Sequence, residues 1–556
     1  MWQSLSQAVR GTREHWLAVW KRVQRNGPGQ LQFWLIALCI GIVGGVVAVI
    51  FREGIAVLQE FFYGETDEML HSRLGELPVI WVIGIPIIGG RAVGIILWMC
   101  TPDGRARSVA HVSEGAALRR GRVEREAGLA SAVASMSTLS TGGSSGREGP
   151  VVHLAAVVAS WVSDTLKSNE VTARDLLGCA VAAAVSASFN APIAGALFAL
   201  EVILRHFAIH AFAPIVIASV AGTGVSRLTL GNTPEFVLPD RALDFYVERP
   251  AFMILGLISG FVAVVRMRAI FIAEDMGDRL QARIGLPTPL RPALAGAMLG
   301  CIAVFFPHII GVGYETTNRA LDGGLGFQDA LLFAVVKVIA VAITFGGRMG
   351  GGVFSPSLML GALTGLAFGW IATAVFPDVS GSVALYALAG MAAVAASVLG
   401  APISTTLIVF ELTGDWEAGI AIMVAVSLGL AVSTRLVDRS FFLSQIERRG
   451  VHLAAGPQAY LLCTITGGAV RRPRGAENGA SDTRSWELVE QGAFLERSDT
   501  LERAMPLLDK APGGMVPVVN TRPDGEPPEL LGAVFYVAAL KAYNRALAET
   551  AREEHS

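Results

Sequence analysis

One run of residues, Thr141-Gly142-Gly143-Ser144-Ser145-Gly146-Arg147-Glu148-Gly149-Pro150, brings together groups able to handle an anion. It lies between two apolar regions, Ala127 to Leu139 and Val151 to Leu166. Its glycines and serines keep the backbone open to close approach. Pro150 has no amide hydrogen to lose, so it suits the first turn of a following helix. Free amides at a helix start, beside hydroxyls and glycines, form an anion site. Glu148 places a carboxylate where such an anion would bind, next to Arg147. An ionisable residue at membrane depth marks a functional site by default. Two readings stand. Glu148 competes with a permeant anion for the same amides, or the stretch is a capped helix start carrying an Arg–Glu surface pair.

The elements that must position this run are those of a membrane protein. Of 556 residues 53% are hydrophobic and 16% charged, against about 25% charged in soluble domains; mean hydropathy is +0.53. Apolar segments recur at Phe33–Phe51, Val79–Cys100, Ala251–Ala273, Ala330–Phe345 and Ile420–Val437. Many of the apolar segments are broken by Gly or Pro, or fall short of the ~20 residues of a straight span. Broken helices at membrane depth are tolerated where they are buried in protein or line an aqueous cavity. A pathway is therefore favoured over a simple anchor. Net charge is −2 with no basic run, so nucleic acid is not an expected partner. Cys39, Cys100, Cys179, Cys301 and Cys463 lack metal-ligand spacing, and the first four read as small buried hydrophobes. His206, His210 and His308 are scattered without partners at ligand spacing. The chain is expected to be no enzyme, with no metal and no cofactor.

Charge sets an expected topology. The arm 1–30 carries Arg10, Arg13, Lys21, Arg22 and Arg25, has no cleavable signal, and is placed in the cytoplasm. The loop with Glu65, Asp67, Glu68 and Glu76 is placed outside, as is the stretch Gly231–Arg249. Arg105, Arg107, Arg119, Arg120, Arg122 and Arg125 crowd a connector placed inside, and Arg448 and Arg449 return the chain to the cytoplasm. Both termini are then cytoplasmic, and the membrane is the cell (inner) membrane.

An internal repeat is the second signal. Ala191-Pro192 leads to Glu201, and Ala401-Pro402 leads to Glu411 at the same offset. Gly146–Pro150 has a counterpart in Gly350–Pro356. Two halves, each with a Gly-rich loop before a Pro and an Ala-Pro helix ending in Glu, put a site at their interface. Glu201 and Glu411 read as structural acids bonded to backbone where the repeats meet. From about Val451 the composition turns soluble. Residues 451–485 read as a linker, followed by an α/β module with a helix at Asp499–Leu508, strands at Gly514–Asn520 and Leu530–Tyr536, and a helix from Ala538. Its plainer reading is an assembly domain, its sharper one a ligand sensor.

These residues resemble the CLC family of chloride channels and chloride/proton antiporters. The motif matches are Gly146–Pro150, Gly351–Pro356 and the two Ala-Pro helices with their Glu. The tail resembles a cystathionine-β-synthase-type (CBS) module, with one unit of the usual pair recognisable. The resemblance implies an all-α polytopic membrane protein, an inverted repeat of broken and tilted helices with a small C-terminal α/β CBS-like module. Domains follow as an arm at 1–30, a transport domain at 31–450 (repeats 31–240 and 241–450), a linker at 451–485 and a degenerate CBS-like module at 486–556. It implies a homodimer in membrane lipid with one pore per subunit and chloride or a similar small anion as the transported partner. Glu148 resembles the gating glutamate. Gly146, Arg147, Gly149, Val353 and Phe354 resemble the anion cradle, with no Lys or Arg other than Arg147 expected there.

Three positions depart from the family. Its Gly-Ser-Gly-Ile-Pro motif keeps only Ser108, within Arg107-Ser108-Val109-Ala110-His111, where the Ser108 hydroxyl is still expected to face an anion and His111 reads as a solvated loop residue. At the inner mouth Phe442 replaces the family's tyrosine, removing a hydroxyl donor worth about 0.5–1.5 kcal/mol. Val202 stands where antiporters of the family carry a second glutamate. The expected function is thus a voltage- or pH-gated chloride channel with a glutamate gate. The alternatives are a chloride/proton antiporter and, more remotely, a non-conducting membrane scaffold.

Overall fold

The computed structural model describes residues 28–67, 69–207, 209–231, 249–377, 382–413, 416–451, 461–462, 465–476, 479–497, 499–511, 513–520 and 528–555. The expectations for the arm 1–27, Glu68, the stretch 232–248 and Cys463 lie outside the described residues. The chain divides into two units, Met1–Arg449 and Gly450–Ser556.

Among the described residues of the first unit, ten helices are long and apolar enough to cross a membrane. Gln30–Tyr63, Val79–Cys100, Arg249–Ile284 and Phe327–Gly346 coincide with the longest apolar runs of the sequence. Two helices form the hub, Glu170–Phe189 and Val383–Leu399. Both are rich in Ala and Val on every face, and a helix apolar all round is a buried one. Accordingly Ala384 to Leu399 are buried without interruption. Small residues let the backbones close in. A Cβ on Gly390 would stand 2.6 Å from the Gly361 carbonyl oxygen, so the approach of Val383–Leu399 to Phe354–Val375 needs glycine there.

The repeat shows in how these hub helices end. Each stops on a left-handed residue, Asn190 (φ 54°) or Gly400 (φ 68°), a common helix terminator. Ala-Pro follows each, opening the short helices Pro192–Phe198 and Pro402–Thr413. The first runs on into a π-helical turn, Ala199–Leu204, which carries Glu201. Each short helix is capped by the other repeat. Glu411 accepts from the amides of Ile193 (3.0 Å) and Ala194 (2.7 Å). Glu201 accepts from the amides of Ile403 (3.1 Å) and Ser404 (2.8 Å). Carboxylates placed on free helix-start amides make charge-assisted bonds that pin the two halves together.

The second unit is an α/β module. Its strands β1 (Arg472–Pro473), β2 (Leu495–Glu496), β3 (Met515–Asn520) and β4 (Glu529–Phe535) form one sheet in the order β1-β4-β3-β2. β2 and β3 pair in parallel across the helix Leu501–Lys510, while β3 and β4 are antiparallel. That crossover followed by a hairpin and the helix Tyr536–His555 is one CBS-like unit. Leu495, Leu501, Leu508, Val516 and Val534 fill its core. One boundary is corrected. The polar stretch 451–485 is not simply a linker, because Arg472 and Pro473 pair with Ala533 and Gly532 as an edge strand. Pro is tolerated there because an edge position asks no ladder bond of its missing N–H.

Candidate functional site

Two helix starts meet in the first unit, those of Glu148–Leu166 and Phe354–Val375. The Gly-rich loops before them are joined by a two-way bridge. Gly146 N–H donates to Gly352 O at 2.8 Å, and Gly352 N–H donates to Gly146 O at 2.6 Å. Only residues without a Cβ allow this approach. A Cβ on Gly352 would lie 2.9 Å from the Gly149 nitrogen and 3.0 Å from Gly146 O. Gly351 adopts φ +128°, in the region that favours glycine.

Glu148 is buried at this junction, 4% exposed. Its carboxylate accepts the hydroxyl of Ser355 and, at 3.4 Å, the amide of Ser355. A side chain from the first repeat thus occupies the helix start of the second. Burial removes the surface-pair reading. Arg147, 6% exposed, donates to Ser188 O at 3.2 Å and stands 5.0 Å over the Tyr314 ring. A cation there meets the carbonyl end of the hub helix Glu170–Phe189, where the helix dipole favours it. Gly146, Arg147, Glu148, Gly149, Val353 and Phe354 are therefore brought together and are all buried. The Phe354 ring packs edge-on to Phe189, centroids 4.8 Å apart.

Two residues here were missed by sequence reasoning. Ser355 is the partner of Glu148, although it sits inside a motif that was recognised. Arg266 corrects the expectation that Arg147 is the lone cation of the cradle. It is 0% exposed and donates to Val353 O at 2.9 Å and to the Ser357 hydroxyl. Its one signal in the sequence is a charge inside an apolar run.

Ser108 and Phe442 occupy a different place. Ser108 caps the helix Val109–Leu118, and its hydroxyl donates to Gln445 at 3.4 Å, on the same short helix as Phe442. Phe442 is buried edge-on against Phe441, which stacks on Phe271. His111 is not a solvated loop residue. It lies in the first turn of that helix and its Nδ1 accepts the Ser108 N–H at 3.1 Å. Burial, then the charge of Arg449, holds its imidazole far below the ordinary histidine range, so the ring is neutral and free to accept. This replaces the missing glycines and proline as the device that starts the helix. A cavity of about 210 Å³ is lined by Ser108, His111 and Gln445 and also by Gly350 and Gly351 of the second Gly-rich loop. Arg105 and Arg348 on its wall pair with Asp278 at 2.8 and 2.9 Å, and Arg448 pairs with Asp275. The wall is polar but its charges are largely matched. Among the described residues no group of His, Cys, Asp and Glu is arranged to hold a metal.

Residues 89–434 match the family model described as voltage gated chloride channel. The chain belongs to the CLC family. Chloride channel protein CLC-f of Arabidopsis thaliana is 30% identical over 73% of this CLC chain and 54% of its own length, so the chain spans about half of that relative. The H(+)/Cl(−) exchange transporter ClcA of Vibrio cholerae serotype O1 is 28% identical over 74% of this chain and 88% of its own. The crystal structure of a eukaryotic CLC transporter shares the fold, with a TM-score of 0.67 at 17% identity over 91% of this chain and 98% of that one. The CLC chain is an integral membrane protein of inverted, broken helices with a CBS-like tail.

Proposed function

We propose that this CLC protein passes chloride or a similar small anion across a membrane, with Glu148 as its gate. One observation carries the reading: the Glu148 carboxylate is seated on the amide and hydroxyl of Ser355, at a helix start from the opposite repeat. Negative charge is accommodated there by backbone and hydroxyl dipoles. A chloride can take the seat once the carboxylate leaves it or is protonated. Arg147 and Arg266 add positive field while their guanidinium groups are held by Ser188 O and Val353 O. Sites of this kind are weak enough to release an ion, as conduction requires.

Passive conduction is favoured over proton-coupled exchange. Val202 cannot titrate, and both oxygens of its neighbour Glu201 are committed to the Ile403 and Ser404 amides. Exchange remains the second reading because a bacterial relative carries that name. Protein reconstituted in vesicles and given a chloride gradient distinguishes them. Dissipation of the gradient without uphill proton movement fits a channel; uphill proton uptake makes the protein an exchanger, and no chloride flux at all overturns both.

The same reading puts both termini in the cytoplasm of the cell (inner) membrane, supported by the arginines between Arg105 and Arg125. It takes the working form to be a homodimer with one pathway per subunit, supported by family likeness. A monomeric mass for the active, detergent-solubilised protein would remove the dimer.

A further inference from the structure

The helix Arg249–Ile284 has 36 residues, roughly 54 Å at 1.5 Å per residue, while a hydrocarbon layer is about 30 Å thick. Its last turns therefore reach the headgroup region. There it forms one wall of an apolar cavity of about 480 Å³, within the range of about 300–1,000 Å³ usual for ligand sites. Met276 and Leu280 supply that wall, Leu294 and Met298 of the helix Arg291–Phe305 face them, and all four are exposed. Gly346 and Gly347 line it as well.

Arg279 and Arg283 line the same cavity, one helical turn apart and exposed. Neither makes an ion pair or hydrogen bond among the described residues. Of the acids on this helix, Asp278 is taken by Arg105, Arg291 and Arg348, and Asp275 by Arg448. Two uncompensated guanidinium groups thus border an apolar chamber that faces lipid. We propose that this is a site for an anionic phospholipid, with an acyl chain in the chamber and the phosphodiester on Arg279 and Arg283. Planar guanidinium forks suit a phosphate oxygen pair. A free phosphate would leave the chamber unfilled, and a zwitterionic lipid would leave the arginines under-compensated.

The site is wired to the cradle. Arg291 Nε donates to Gly346 O at 2.8 Å, and four to six residues further on come Gly350, Gly351 and Gly352 of the second loop. A bound lipid braces the end of Phe327–Gly346 and with it that loop, so anionic lipid raises anion flux. This effect on flux rests on the function proposed above; the binding does not.

The test uses the full chain purified from vesicles of phosphatidylcholine with or without phosphatidylglycerol, read by native mass spectrometry and by chloride flux. The wild type should retain phosphatidylglycerol over phosphatidylcholine by roughly tenfold or more. The pair R279Q/R283Q, which alters only exposed side chains, should fall to parity, and L294W should retain less of either lipid. Equal retention by the wild type, or an undiminished preference in R279Q/R283Q, overturns the site. A preserved lipid preference with no chloride flux under any condition would instead sink the transport reading alone.

Discussion

Glu201 of the first repeat holds Ser404 of the second by both its amide (2.8 Å) and its hydroxyl (2.6 Å), and Glu411 returns the arrangement to Ile193 and Ala194. A carboxylate so engaged is a clasp between halves. Removing Glu201 as Glu201→Ala should cost about 1.5–3 kcal/mol, the range for hydrogen bonds to a charged group. The expected result is a lowered melting temperature in detergent with chloride flux retained in the fraction that folds. An unchanged melting temperature would show that the clasp is slack.

Glu148→Ala should raise chloride flux and abolish its dependence on pH. Losing a charged hydrogen bond of about 1.5–3 kcal/mol corresponds to tenfold or more in the population of the open seat. In the wild type, flux should rise as pH falls, because protonation removes the charge that competes with chloride. Flux in Glu148→Ala that still follows pH would take the residue out of the gate.

Ser355→Ala removes the hydroxyl that holds the gate and should increase flux at neutral pH several-fold, on the order of 1 kcal/mol. Combined with Glu148→Ala it should add nothing further, since the two changes break one interaction. Additive gains in the double variant would mean that Ser355 acts elsewhere.

Gly352→Val should stop flux while the protein still inserts and folds. The new Cβ would press on the Gly149 nitrogen and Gly146 O, at an overpacking cost of about 1–3 kcal/mol. Circular dichroism and gel filtration should match the wild type while vesicle flux disappears. Normal flux would contradict the tight bridge.

His308 gives a pH effect on stability that is separate from gating. It is 1% exposed, stacks on Phe333 at 3.8 Å, and burial lowers its pKa to about 3 from an ordinary 6.5. The unfolded chain therefore takes up a proton below about pH 6.5 that the folded chain refuses until about pH 3. This group then costs stability as pH falls through that window, by up to ~1.4 kcal/mol per pH unit. His308→Phe keeps a ring against Phe333 and should narrow the difference in melting temperature between pH 7 and pH 5. An equal difference in both proteins would refute the burial argument.

The two Gly-rich loops, the Ala-Pro helices and their acids were legible in the sequence because duplication writes each of them twice. Ser355 was not, although its motif was read, since its role depends on a carboxylate 207 positions away. Arg266 escaped because hydropathy ranks a segment as a whole and does not say which face of it meets Val353. Arg472 and Pro473 form a strand too short for an alternating pattern to show. His111 looked like loop because its neighbours Arg107 and Ser108 are polar; burial beside His153 (centroids 6.3 Å) is a tertiary event.

The bridge between Gly146 and Gly352 also sets a clock on biogenesis. The second glycine is made 206 residues after the first, roughly 10–40 s later at about 5–20 residues per second. For that interval Glu148 is inside a nascent first half with no Ser355 to receive it and with the Ile193 and Ala194 amides lacking Glu411. The first half is therefore a waiting state, carrying a carboxylate and open helix starts that the insertion machinery must shield. The two helix starts come together only after that wait, once the second repeat has been made in full and closes onto the first.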